Sequence, residues 1–300
     1  MKNGKVKQNR GVLTWILLFF LLLYSIILVG LLVWAIFVSL KTPTMWDNDK
    51  VGMPVGAPWD WQWINYIKVF KAFTFVEGPL ANGSYIQASF FTMAINSLLY
   101  AGGGAFVSTF ACCIGAYLTA RYKFKFSKVV YLFVVIAMVV PIIGSTPSML
   151  LLLDRLGLYQ TLFSVYIMKF NFLDMYFLVF FAVFDALPKD YAEASKIDGA
   201  SEFQIMFKIM LPLALPTFAT VMLIKFIELW NGYDFVLLYL RSYPTLSYGI
   251  YKLQKMNSPE MEHVTMRISA SLLVAIPILA LFIAFRNKIM GNVTMGGVKE

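Results

Sequence analysis

Four polar residues in a strongly apolar part of the chain follow one another at a spacing of three: Lys225, Glu228, Asn231 and Asp234. They lie in a run from Leu213 to Leu240, with Lys225 roughly 18 Å from Leu213 at the ~1.5 Å rise of a helix. Ionisable groups at that depth of a membrane cost at least ~2.5–3.5 kcal/mol and need a partner or a cavity. Two chemistries fit. Lys225 and Glu228 can pair along one helix face and neutralise each other as packing. The four can instead line a polar path through the membrane, with Trp230 and Tyr233 offering ring faces.

Residues for covalent or metal chemistry are scarce. The two cysteines, Cys112 and Cys113, are adjacent in an apolar run, where neighbours point in different directions, and they read as small packing residues. The one histidine, His263, has no Cys or His nearby and reads as a solvated loop residue. The stretch "GGGAFVST" from Gly102 lacks the lysine of a phosphate-binding loop, and its glycines suit close helix approach instead. No catalytic residue, metal site or cofactor is expected in the chain, and no enzyme activity.

The elements that would position the polar ribbon are membrane spans. Over 300 residues the chain is 60% hydrophobic and only 14% charged, far from soluble usage. Six stretches reach or approach the about 20 residues that cross a bilayer: Val12 to Leu40, Phe90 to Ala120, Val129 to Leu153, Leu162 to Leu187, Leu213 to Leu240 and Ile268 to Phe285. The first is too long for a signal-peptide core and is expected to remain as an anchor. The expected fold is an all-α integral membrane protein of six transmembrane helices. Residues 1–89 comprise a tail, the first span and a long external loop, and residues 90–300 form the core transmembrane domain.

The net charge of +9 sits in clusters at span ends, which fits a positive-inside bias and not nucleic-acid binding. Lys2, Lys5, Lys7 and Arg10, then Arg121, Lys123, Lys125 and Lys128, then Arg286, Lys288 and Lys299 all fall on one side of a six-span chain, so both termini are expected to be cytoplasmic. Lys169 in the fourth span reads as an anchor that reaches the outer interface. Pro141, Pro147 and Pro277 predict kinks in the third and sixth spans.

Between spans four and five lies the polar segment "DYAEASKIDGASEFQIMFKIMLPLALP", Asp190 to Pro216. Asp190 with Glu193 predicts a capped helix start, Gly199 a left-handed stop, and Ser201 with Gln204 a second capping box. The second helix is expected to run to Pro212, with Phe203, Met206, Phe207 and Met210 on one apolar stripe.

Glu193-Ala194-Ser195, three residues, Gly199, nine residues, Ile209, one residue and Leu211-Pro212 together resemble the EAA motif of binding-protein-dependent ABC importers. Ser195 stands where the family has alanine. Further stretches resemble the carbohydrate-uptake group, in particular the shorter permease subunit of maltose-type transporters: "KIDGAS" at Lys196 to Ser201, "NSLLYA", "GAYLTARYKF", "MVVPIIGSTPSMLLLLDRLGL", "ELWNGYDFVLLYL" and "TMGGVKE". The resemblance covers about Phe90 to Glu300.

It implies a permease subunit of an ATP-driven sugar importer in a bacterial or archaeal cell membrane. The partners would be a second permease subunit, cytoplasmic ATPase subunits, an extracytoplasmic solute-binding protein and membrane lipid, with ATP and Mg held only by the ATPase. The EAA loop, 188–212, would dock on the ATPase through Glu193 as charged contact and Ala194 and Ser195 as small packing contacts. Gly199 would make the bend, with Asp198, Ala200, Ile209, Leu211 and Pro212 completing the motif. The loop from Arg241 to Arg267, with Tyr243, Thr245, Tyr248 and Tyr251, is the expected contact for the binding protein. Alternatives are a cargo such as a glycerol phosphate, or a self-sufficient secondary transporter, which would ordinarily show internal repeats.

Overall fold

The computed structural model describes residues 12–78, 80, 83–122, 126–140, 144–188, 190–255 and 261–293. The N-terminal basic residues, Lys123, Lys125, Pro141 and the tail from 294 lie outside that set, as do the side chains from 285 onward. The chain divides into two compact units, residues 1–72 with 256–273, and residues 73–255 with 274–300.

In the first unit, α1 (Val12–Ser39) is apolar on every side and none of its most hydrophobic stretch is buried, as expected of a helix in lipid. Its last carbonyls have no partner within the helix. Asn65, on α3 (Ile64–Ala72), donates to the carbonyls of Ser39 and Lys41 at 2.8 and 3.0 Å, and Ser269 donates to Ser39 at 3.1 Å. Between them α2 (Pro43–Asn48) is capped by Thr42, and buried Lys41 reaches the Asp49 carbonyl at 2.5 Å.

The second unit opens with a hairpin, β1 (Phe75–Glu77) antiparallel to β2 (Ile86–Ala88), an exception to the all-α expectation. Next, α4 (Phe90–Leu98) passes through a π turn, Leu99–Gly103, into α5 (Gly104–Arg121). Small residues dominate α5, so neighbours approach closely. A Cβ on Gly103 would lie 2.6 Å from the Tyr166 ring, and one on Gly115 would lie 3.1 Å from Phe172. Cys112 and Cys113 are both buried and free, because α5 is covered on one side by α9 (Met175–Ala186) and on another by α12 (Leu211–Asn231). Phe177, Phe180, Phe184, Met210, Phe218 and Val221 complete this core.

Among the described residues four helices are long and apolar enough to cross a membrane unaided: 13–39, 90–121, 202–231 and 264–284. The third and fourth expected spans are each broken. The third is α6 (Ser127–Val139) and α7 (Thr146–Arg155), with Pro147 in the first turn of α7 and Gly144 at φ +82°. The fourth is α8 (Leu162–Lys169), an irregular stretch, and α9. Asp174 caps α9.

The remaining helices are α10 (Asp190–Ile197), α11 (Glu202–Ile205), α13 (Asp234–Tyr239), α14 (Leu246–Lys255) and α15 (Val264–Val293), which carries Pro277 inside it. Pro212 does not end the helix that starts at Glu202. A π turn, Met206–Met210, precedes it and widens the ladder, with Leu211 N–H bonded to Met206 O, so the helix runs on into α12.

Candidate functional site

The segment from α10 to the π turn is a short knob between α9 and α12. Asp190 is the first helical residue of α10 and not its cap, so Asp190 and Glu193 place negative charge in the first turn, where the helix dipole favours it. The far end closes as the sequence requires. Gly199 is at φ +80°, its N–H bonds Lys196 O at 3.1 Å, and Ala200 N–H bonds Ser195 O at 2.9 Å, the two bonds of a Schellman stop. Ser201 and Gln204 form the reciprocal capping box of α11 at 3.3 and 2.9 Å.

Glu193, Ala194, Asp198 and Pro212 are exposed, while Ser195, Ala200, Ile209 and Leu211 are half-buried. Ser195 turns its hydroxyl back onto Tyr191 O at 2.6 Å. The single apolar stripe expected on the second helix is split by the π turn. Ile205, Met206 and Met210 face the core, whereas Phe203 is 70% exposed and packs against Phe207 in a tilted ring pair. Ile197, at the bend, is 87% exposed. The knob therefore presents apolar side chains beside its acidic ones.

A cavity of about 500 Å³ lies between the knob and the adjoining ends of α5 and α9, lined in part by Arg121, Tyr122, Asp185, Glu193, Lys196 and Glu202. Lys196 Nζ is 2.5 Å from Glu202 Oε1, and the Tyr122 hydroxyl donates to Glu202 Oε2 at 2.8 Å. Lys196, then Tyr122, hold the Glu202 carboxyl below its usual range, and burial with the Glu202 bond pushes the Tyr122 phenol up.

The polar ribbon resolves differently. Lys225 is buried and takes Asp174, 51 residues away, as its counter-ion, together with the Ser108 hydroxyl at 2.7 Å and the Tyr176 ring. The pairing with Glu228, one of the two alternatives the spacing allowed, does not form. Asp174 is available because the fourth span breaks just before it, and irregular backbone is tolerated at depth where it lines a cavity. That cavity, about 230 Å³, is lined by Ser108, Lys169, Asn171, Asp174, Lys225 and Glu228 among others. Glu228 is exposed to it. Lys169, expected as an anchor, turns inward to line the same cavity with its ammonium over the Phe235 ring.

Asn231 and Asp234 are exposed, but Gly232 separates them, ending α12 before Asp234 opens α13. Trp230 is not on a path: it is buried, and its indole N–H bonds Val274 O at 3.3 Å. Tyr233 stacks on Tyr251 at 4.5 Å between centroids. Sequence reasoning missed Asp174 and Ser108 as partners of Lys225. The visible signal was an acidic residue three positions after Asn171 inside an apolar run, the mark of a break.

At the end of α12 away from the knob, Glu77 is fully buried between Arg241 and Lys252. Arg241 donates to Oε1 at 2.8 and 3.1 Å, and Lys252 Nζ is 3.0 Å from Oε2. This cluster ties α14 to the hairpin through Lys252 and Glu77. Thr245 and Tyr248 are buried, which corrects their expected place on a contact surface, while Tyr243 and Tyr251 keep part of their area exposed.

The family of inner membrane components of binding-protein-dependent transport systems matches residues 111–293. AraQ, the arabinooligosaccharides transport system permease protein of Bacillus subtilis, is 29% identical over 77% of this chain and 79% of its own length. YcjP, an inner membrane ABC transporter permease protein of Escherichia coli, is 27% identical over 88% and 90%. MalG, the trehalose/maltose transport system permease protein of Thermococcus litoralis, is 27% identical over 78% and 80%. The fold is that of a solved bacterial ABC transporter involved in alginate import, with TM-score 0.70, 19% identity and coverage of 93% of this chain and 97% of that one. With well over half of the chain matched, this multi-pass protein belongs to the family of binding-protein-dependent transport system inner membrane components.

Proposed function

We propose that the chain is one permease subunit of an ATP-driven, binding-protein-dependent importer of a sugar or oligosaccharide. It crosses a bacterial or archaeal cell membrane six times with both termini in the cytoplasm. The broken third and fourth spans then each count as one crossing. Relatives named for arabinooligosaccharide and trehalose/maltose transport support the cargo class. Basic residues clustered at alternate span ends support the orientation.

The observation that carries the reading is the knob. Two short helices joined at a left-handed glycine leave Glu193, Ile197 and Phe203 all exposed. Ordered apolar side chains next to a carboxylate suit a protein cleft with a basic residue. In this reading the cleft belongs to a cytoplasmic ATPase, which alone holds ATP and Mg. Ala194 and Ser195 are small enough for close approach, and Asp198 to Ala200 with Ile209, Leu211 and Pro212 keep the knob in shape. The cavity beside Glu228 is a stretch of the cargo pathway shared with a second permease subunit, continuing past Asn231, Tyr233 and Asp234. Tyr243 and Tyr251 remain the candidates for contact with the solute-binding protein.

The test is extraction of the tagged chain from its native membrane. The expected result is co-purification of a second multi-span permease and an ATPase with a phosphate-binding loop. Glu193→Lys is expected to insert normally and to lose the ATPase or its coupling. A chain that transports alone, or a Glu193→Lys complex working at the unmodified rate, overturns the reading.

A further inference from the structure

We infer that Arg121, Tyr122, Lys196 and Glu202 are positioning residues that clasp the end of α5 to the knob, so that any displacement of the knob reaches α5 as well as α9 and α12. The inference rests on the knob being the coupling element proposed above. Chain connectivity links the knob only to α9 and α12, and α5 ends well upstream of it. Two consecutive residues at that end bridge the gap. Tyr122, the residue that ends α5, donates to Glu202 in the first turn of α11, and the other Glu202 oxygen takes Lys196 from the last turn of α10. Arg121 Nη2 reaches the carbonyls of Leu187 and Pro188 at 3.1 and 3.3 Å, where α9 ends, and Met210 Sδ at 3.6 Å, where the π turn meets α12. One end of α5 thus holds the entry, the middle and the exit of the knob.

Both ends of the Glu202 clasp are themselves fixed. The capping box sets the backbone at Glu202, and the Schellman stop sets the end of α10 that carries Lys196. Empty space does not transmit a displacement, and the 500 Å³ cavity stands between α10 and the end of α5. The clasp crosses it. The phenol stays a donor and the carboxylate an acceptor at neutral pH, since their shifts run in those directions.

The test is a pair of spin-label distances in the purified complex, with Cys112 and Cys113 replaced by alanine, free of nucleotide and with Mg-ATP and vanadate. The first pair joins Leu118 on α5 to Lys208 on the π turn, both exposed. The second joins Lys208 to Gln254 on α14 and reports whether the knob moves at all. The expected result is a Lys208–Gln254 distance that shifts with nucleotide while Leu118–Lys208 holds constant. In the Arg121→Met/Tyr122→Phe/Glu202→Gln variant, Leu118–Lys208 is expected to shift too, because none of the contacts from the end of α5 to Leu187, Pro188, Met210 and Glu202 then remains. A shifting Leu118–Lys208 distance in the unmodified protein, or constancy in the variant, overturns the clasp. A Lys208–Gln254 distance that never changes overturns the coupling role of the knob instead, and the clasp with it.

Discussion

The molecule uses the same trio twice, a lysine, a carboxylate and a hydroxyl. Inside the bundle it is Lys225, Asp174 and Ser108, and at the knob it is Lys196, Glu202 and Tyr122. The side chains of the first pair are 8% and 33% exposed, those of the second 53% and 51%. Surroundings give the two trios opposite jobs. Lys225 is the buried member of the inner trio, and stranding its charge costs more than its pair gains, so loss of Asp174 is expected to impair folding. In water the outer pair contributes little stability and is screened by salt, so its value lies in where it holds the backbone.

The sharpest way to break this contrast is to remove one partner from each trio. Asp174→Leu strands the buried Lys225 and is expected to cost about 3–5 kcal/mol, read as lost expression or a lowered melting temperature, while Lys225→Met with Asp174→Leu recovers most of it. Glu202→Gln should leave the melt unchanged. If the two single changes behave alike, burial does not separate the trios.

Next in size is the bend between the knob helices. No atom lies within 4 Å of a Cβ placed on Gly199, so only its φ of +80° restricts the residue. A left-handed residue costs ~1–2 kcal/mol, with β-branching worse and asparagine milder. Gly199→Val is therefore expected to lose ATPase retention after detergent extraction, and Gly199→Asn to keep most of it. Equal retention by both would remove the backbone argument.

Glu228 sharpens the inner half of the comparison, since it lines the same cavity as Lys225 but is exposed and has no ion-pair partner among the described residues. Glu228→Gln should stay within about 0.5 kcal/mol of the unmodified stability. Its effect should appear as reduced uptake in the assembled importer. A destabilised Glu228→Gln would place this carboxylate with Lys225 as structure.

The smallest effect is that of pH on the outer clasp. The carboxyl of Glu202 is held low, so its contribution is present above the ordinary carboxylate range and is lost as pH falls through the lowered value. Lys196 is held high by Glu202, so its contribution is present below the ordinary lysine value and is lost as pH rises through the raised one. The Leu118–Lys208 distance should be flat between about pH 5 and 10 and loosen on acidification. A change centred near neutral pH would point to a different group.

What the sequence determined by itself was everything encoded within a few residues or in bulk composition. Apolar content required a membrane protein, and Gly199, Ser201 and Gln204 required a stop and a cap where the structure has them. The small residues of α5 required close packing, and both cysteines are part of it. Tertiary structure alone decided the partners that come from elsewhere in the chain. Lys225 chose Asp174 over its own helix neighbour because the fourth span breaks and turns that carboxylate inward. Pro212 stayed helical because a π turn absorbed its missing donor. Trp230, Thr245 and Tyr248 sank into the core, where sequence reading had them facing solute or partner. The physical reason is shared. In a membrane chain lipid and core are equally apolar, so hydropathy marks a span but not its buried face, and an ion pair between helices leaves no periodic trace along either one.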